Sequence, residues 1–158
     1  MAAPVATARG TPAGIKLKDG FSSLITLSSN PTVSLWEKVV QPPGIDGGEM
    51  IDQTTMHNTT WRTRAPRVLK TLTPISFTAA YDPNCLTQLN SLINVELTVT
   101  FKWADGSTAA FFGYLQKFEP DNVEEGKQPE AKCMIVPTNF DPSGKVEAGP
   151  TVVSVAGT

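Results

Sequence analysis

The sequence is short of the residues that chemistry and membranes require. It holds one histidine, His57, and two cysteines, Cys85 and Cys133, 48 positions apart. No Cys-x-x-Cys pair or Cys/His cluster is present, which removes the usual zinc and redox motifs. Both cysteines sit among apolar residues and read as buried free thiols. No apolar run approaches the roughly 18 residues needed to span a bilayer. The start, MAAPVATARG, lacks the basic and apolar regions of a signal peptide, so the expectation is a soluble chain made and kept in a cytoplasm before any assembly. Gly-x-Ser-x-Gly, P-loop and His-Glu-x-x-His motifs are all missing. No internal repeat of 20–50 residues is visible.

The catalytic readings that remain are thin. His57 lies in a polar stretch among Thr and Asn, a poor support for a general base that needs fixed geometry. Glu119, Asp121, Glu124 and Glu125 crowd one acidic, turn-rich segment, where carboxylates are normally solvated and no buried setting raises a pKa. Their spacing does not match an EF-hand-type calcium loop. The sequence therefore predicts no enzyme, no metal and no cofactor.

What is plentiful is Thr, Ser, Pro and Gly: 13 prolines and 12 glycines in 158 residues, with only 18% charged. That balance favours short strands and turns. One domain of this length buries enough surface to fold without a staple. The net charge of −2 is unevenly spread. Residues 1–79 carry eight Lys/Arg and five Asp/Glu, or +3; residues 80–158 carry five and ten, or −5. Such a chain can associate head to tail, although two unrelated solvated faces give the same counts.

Along the chain, residues 1–14 read as a flexible arm, residues 15–143 as a single β domain and residues 144–158 as a tail. Strands are expected over Phe21–Leu27 and Thr32–Val40, and over 45–54 with an irregularity at Gly47-Gly48. The stretch from Thr54 to Arg67 is polar, has no helical period and collects Arg62, Arg64 and Arg67, with Lys70 beyond. It reads as a long exposed loop or extended hairpin tip, about 53–67. Trp61 among the three arginines resembles a base-stacking, phosphate-holding patch, but a contact for another copy's acidic loop fits the acidic chain at least as well.

Leu69, Ile75, Phe77 and Tyr81 share one parity over 68–81, a half-buried strand with Pro74 at an edge or bend. Asp82 as N-cap and Pro83 at the first helical position predict a helix over 83–93, with Leu86, Leu89 and Ile93 as its apolar stripe. Val95, Leu97, Val99, Phe101 and Trp103 alternate with polar residues, and Asp105-Gly106 predicts a tight hairpin back into Thr108–Phe118, apolar enough to be covered on both faces. An acidic loop over 119–130 leads to a core strand, Ala131–Pro137. The predicted class is mainly β: a sandwich or barrel with one flanking helix.

The ordered set GIDGGEMID, the long polar loop, KTLTPISFTAAYDP, the short helix, the Val95–Phe118 hairpin and AKCMIVPTN, together about Ser34 to Ser143, resembles the tail tube (major tail) proteins of long-tailed, non-contractile, lambda-like bacteriophages. The resemblance implies a structural virion protein whose copies form stacked, hexameric rings. The tube would surround a tape-measure protein, meet tail terminator and distal tail proteins, and pass viral DNA without binding it. It implies a ring-bridging role for the arm and for the loop, with Thr54, His57, Trp61, Arg62, Arg64 and Arg67 as contact residues. Glu119, Asp121, Glu124 and Glu125 are a possible counter-surface on the next ring, and Asp46, Glu49 and Asp52 a possible negative lumen lining that repels the DNA backbone. The competing reading is a β-sandwich binding or adhesion module; a hydrolase has least support.

Overall fold

The computed structural model describes residues 23–27, 37–81 and 83–154, without the side chains of Asn84 and Cys85. The expected arm over 1–14, the strand start over 32–36, the Asp82 cap and the Cys85 thiol lie outside the described residues.

Among the described residues the fold is mainly β with one helix. In chain order the elements are β1 (Leu24–Leu27), β2 (Glu37–Val40), β3 (Ile45–Asp46), β4 (Ile51–Asp52), β5 (Arg64–Ala65), β6 (Thr71–Leu72), β7 (Ile75–Ala80), α1 (Pro83–Leu92), β8 (Glu96–Lys102), β9 (Thr108–Pro120), β10 (Glu130–Pro137) and β11 (Thr151–Val153). Seven strands form one antiparallel sheet in the order β1-β8-β9-β10-β7-β2. β11 takes the edge of β9 beyond the end of β10, pairing Thr151–Val153 with Thr108–Ala110.

Period-two alternation puts one face of β1, β7, β8, β9 and β10 inward. Leu97, Val99 and Phe101 of β8, Ala109, Phe111 and Leu115 of β9, Ala131, Cys133 and Ile135 of β10, and Ile75, Phe77 and Ala79 of β7 are all buried. Ile25 and Leu27 join this cluster from one edge, Val40 from the other, and Leu89 and Leu92 from α1. The sheet is curled enough that its two edges meet: the Ile25 amide donates to Glu37 Oε1 at 2.9 Å, β1 to β2.

Several sequence expectations shift for local reasons. β6 and β7 are separate, because Pro74 cannot donate to a ladder. Leu69 is therefore off the core parity and exposed, while Leu72 is buried. On α1, Leu86 is exposed and Leu92 takes its place beside Leu89; Ile93 packs on the core just past the helix end. The β8–β9 connection is a three-residue loop and not a two-residue turn. Gly106 N–H bonds Trp103 O, Trp103 N–H bonds Ser107 O, and Gly106 alone takes a positive φ of 94°. β9 is fully buried on one face only; Ala110, Phe112 and Tyr114 are half-buried.

A bulge at Gln116 interrupts the β9–β10 ladder. Ile135 pairs Leu115 and Met134 pairs Lys117, leaving Gln116 unpaired. The extra residue flips parity, so Leu115 and Phe118 both face the core. Just before it, Gly113 lets the backbones close: a Cβ there would lie 2.6 Å from Val136 O.

Candidate functional site

Pairs β3–β6 and β4–β5 lie outside the main sheet and belong to a single two-stranded arm. Ile45 pairs Leu72 and Asp46 pairs Thr71 at its root; Ile51 pairs Ala65 and Asp52 pairs Arg64 further out. The expected loop over 53–67 is thus the outer part of a longer hairpin, with β5 inside it. The register slips by one residue between the two pairs, at the Gly47-Gly48 irregularity anticipated in the sequence. Gly48 has φ +78°, where a side chain would be strained, and an added Cβ would lie 3.1 Å from Arg67 Cδ. Arg67 lies across this point and donates from Nε to the Glu49 carbonyl at 2.8 Å.

Small polar side chains hold the arm together. At the root, Thr73 N–H bonds Gly44 O at 2.8 Å and Gly44 N–H bonds Thr73 Oγ1 at 3.0 Å. Asn139, in the left-handed region at φ 58°, ties the root to the body: Leu72 N–H donates to its Oδ1 and its Nδ2 donates to Thr71 Oγ1. At the tip, Asn58 Oδ1 accepts from Thr55 N–H and its Nδ2 donates to Trp61 O, both at 2.9 Å. Thr63 N–H donates to Thr54 Oγ1. Neither asparagine stood out in the sequence; an Asn in a Thr-rich stretch, with its capacity to bond nearby backbone, was the available signal.

The arm carries almost all of the predicted contact residues. Thr54, His57, Trp61, Arg62, Arg64 and Arg67 are all exposed on it. Between Ile45 and Thr71 only Asn58 and Ala65 are even half-buried. Seven large apolar side chains lie open along it: Ile45, Met50, Ile51, Met56, Trp61, Val68 and Leu69. Met56 is fully exposed, Trp61 81% and Val68 90%. Asp46, Glu49 and Asp52 lie on its first strand, and two of them shape turns: Gly48 N–H bonds Asp46 Oδ1 and Thr54 N–H bonds Asp52 Oδ1. Bonding to the Thr54 side chain and amide, aided by the charges of Arg62 and Arg64, holds the Asp52 carboxyl below its ordinary value.

The four predicted acidic residues lie elsewhere. Glu119 is the last residue but one of β9, and Asp121, Glu124 and Glu125 lie in the connection to β10. Glu119 pairs with Lys117 at 2.5 Å, Glu124 with Lys127 at 2.6 Å and Asp121 with Lys132 at 3.8 Å. Of the four, only Glu125 has no ion pair among the described residues. The ladder fixes where this loop sits. Ile75 pairs Ile135 beside the arm root, and Ala80 pairs Glu130 beside the acidic loop. Root and acidic loop therefore lie at opposite ends of the β7–β10 pair.

Among the described residues no group of three or more His, Cys, Asp or Glu is placed to hold a metal, and no helix is long and apolar enough to cross a membrane. Burial pushes the Cys133 thiol up to about 12, which leaves it inert.

No family model and no curated protein matches the sequence. Solved structures do match in fold. A chain of the virion of a native gene transfer agent particle aligns with TM-score 0.60 at 10% identity, over 87% of this chain and all of that one. A chain from the tail of an empty gene transfer agent particle, refined with helical and C6 symmetry, aligns with TM-score 0.57 at 12% identity, over 89% of this chain and all of that one. A chain of the baseplate of the anti-feeding prophage gives TM-score 0.55 at 5% identity, over 89% and 97%. At these identities the likeness is one of fold.

Proposed function

We propose that this chain is a structural subunit of a phage-type tail. Its copies close into hexameric rings, and the rings stack into a tube that conducts DNA. The observation that carries this reading is the arm. A two-stranded hairpin with neither face packed is marginal in water, and a monomer has no use for seven exposed apolar side chains on one strut. A partner that covers the arm accounts for both. The fold likeness to chains of tail and baseplate assemblies, two of them six-fold symmetric, supports further copies of the same chain as that partner.

On this reading the ring uses one surface and the stack another, because a head-to-tail contact that does not close extends indefinitely. The arm, with Trp61, Arg62 and Arg64, bridges to the next ring. Its positive charge and the acidic loop at the far end of the body give complementary ends, though three of the four acidic residues already have lysine partners, so exposed pairing adds little. Asp46, Glu49 and Asp52 supply negative charge that lets DNA slide without sticking. The tape-measure, terminator and distal tail proteins are the remaining partners, and the protein's place is the virion.

The test is direct. Purified protein at rising concentration, viewed by negative stain, should give six-fold rings and then tubes. Monodisperse particles at the highest concentration would sink the reading and favour a binding or adhesion module.

A further inference from the structure

The arm ends in an apolar tip, and at its root lies an apolar groove. The groove has a volume of about 460 Å³, lined chiefly by Ile45, Val68, Leu69, Leu72, Ala148 and Pro150. Lys70 and Glu147 also line it. Apart from Leu72, its large side chains are mostly exposed in the single chain. We propose that this groove is the seat for the arm tip, Met56 and Trp61, of a second copy. The proposal rests on the stacked-ring reading above.

Three observations choose that occupant. First, a chain cannot fill its own groove with its own tip. Ile45 and Thr54 are nine residues apart along one side of the hairpin, at most on the order of 30 Å at about 3.3 Å per residue. Second, that reach suits a neighbour. β7, which joins the arm end of the body to the acidic end, has six residues and spans roughly 20 Å. An arm laid along the next copy passes its acidic end and brings the tip to its groove. Third, the charge at the seat is complementary. The tip's Trp61 is flanked by Arg62, and the groove offers Glu147 as a partner for it, beside Lys70. A tip-to-root contact is heterologous and repeats without limit, so one contact sets the spacing of the whole stack at about the arm's length.

Cross-linking between copies tests the seat. In a Cys85→Ser background, one chain carries Trp61→Cys and another Leu69→Cys, both at exposed positions that leave the fold intact. After mild oxidation, a disulfide-linked dimer should appear in the mixture and not in either chain alone. Equal linking within the Trp61→Cys chain alone would mean tip meets tip and would overturn the proposal. Rings or tubes without any Trp61–Leu69 link would remove the seat and leave the stacked reading standing. No link, together with no assembly of the unaltered protein at high concentration, would sink both. As a second measure, the double variant Met56→Ser/Trp61→Ser should raise the protein concentration needed for tubes by at least about tenfold, the usual scale for losing a buried aromatic anchor; an unchanged threshold would count against the seat.

Discussion

Glu37 offers a clean perturbation of the curled sheet. Its carboxylate accepts the Ile25 amide and is the described hydrogen bond that links the two edge strands, β1 and β2. A hydrogen bond from a backbone amide to a charged acceptor contributes about 1.5–3 kcal/mol when sheltered. Glu37 is half-exposed, so water offsets part of that and about 1–2 kcal/mol remains for Glu37→Ala. For a domain of this size, each kcal/mol moves the melting temperature by about 2–4 °C, giving a fall of roughly 2–8 °C. Glu37→Gln keeps an acceptor at the same reach and should cost less than half as much. Urea unfolding at constant m-value would measure both variants. Amide exchange would localise the effect, with the Ile25 amide exchanging about tenfold faster in the alanine variant and the β9–β10 amides unchanged. Equal loss in Ala and Gln variants, or faster exchange spread evenly over the sheet, would refute the idea that this carboxylate joins the edges.

Gly113→Ala should destabilise by about 2–3 kcal/mol in urea, since its Cβ meets the Val136 carbonyl at 2.6 Å; a neutral result would mean β9 and β10 separate easily there. Arg62→Glu/Arg64→Glu should leave the monomer folded and stop tube extension, and tubes of normal length by negative stain would exclude both arginines from the contact. Arg67 is best left out of that variant, because its guanidinium also bonds the Glu49 carbonyl. Asp52 is held below its ordinary value of 3.8, so its contribution to the tip is complete above that pH and is lost as pH falls through the lower folded value. The Thr54 amide resonance should titrate with a midpoint below 3.8 and stop titrating in Asp52→Asn; a midpoint at or above 3.8 would contradict the assigned bonding.

The body of the fold was largely legible in the sequence. Leu97, Val99 and Phe101 alternate with polar residues for the same reason that they are buried: one face of β8 meets the core and the other does not. The helix was placed to within a residue, because Pro83 suits a first turn and Leu89 keeps helical spacing. The arm was legible only in part. Its strands are two residues long, joined through glycine, proline and Asx turns, so no periodic pattern could mark them. Leu69 shared parity with Ile75 on paper, and Pro74 broke that parity in space. The Gln116 bulge left no mark in a segment apolar on both sides. Of the acidic residues expected in one loop, Asp121, Glu124 and Glu125 fall in it and Glu119 lies on β9 just before it; the Asp121–Lys132 pair reaches from the loop to β10 and depends on a register that sequence does not show.

The arm joins the body through one pair of chain segments, bracketed by Pro42-Pro43 on one side and Pro74 on the other, with Asn139 as a lateral stay. Mechanically it is a cantilever whose compliance is concentrated at its root. The stiff, many-stranded sheet resists deformation, while a few hydrogen bonds at Gly44, Thr73 and Asn139 set the angle at which the beam leaves it. Any polymer joined by such beams bends by small changes of angle at many roots. It can curve over its length while each subunit keeps its core untouched, and the stiffness of the whole filament becomes a property of one asparagine and one threonine repeated in every copy.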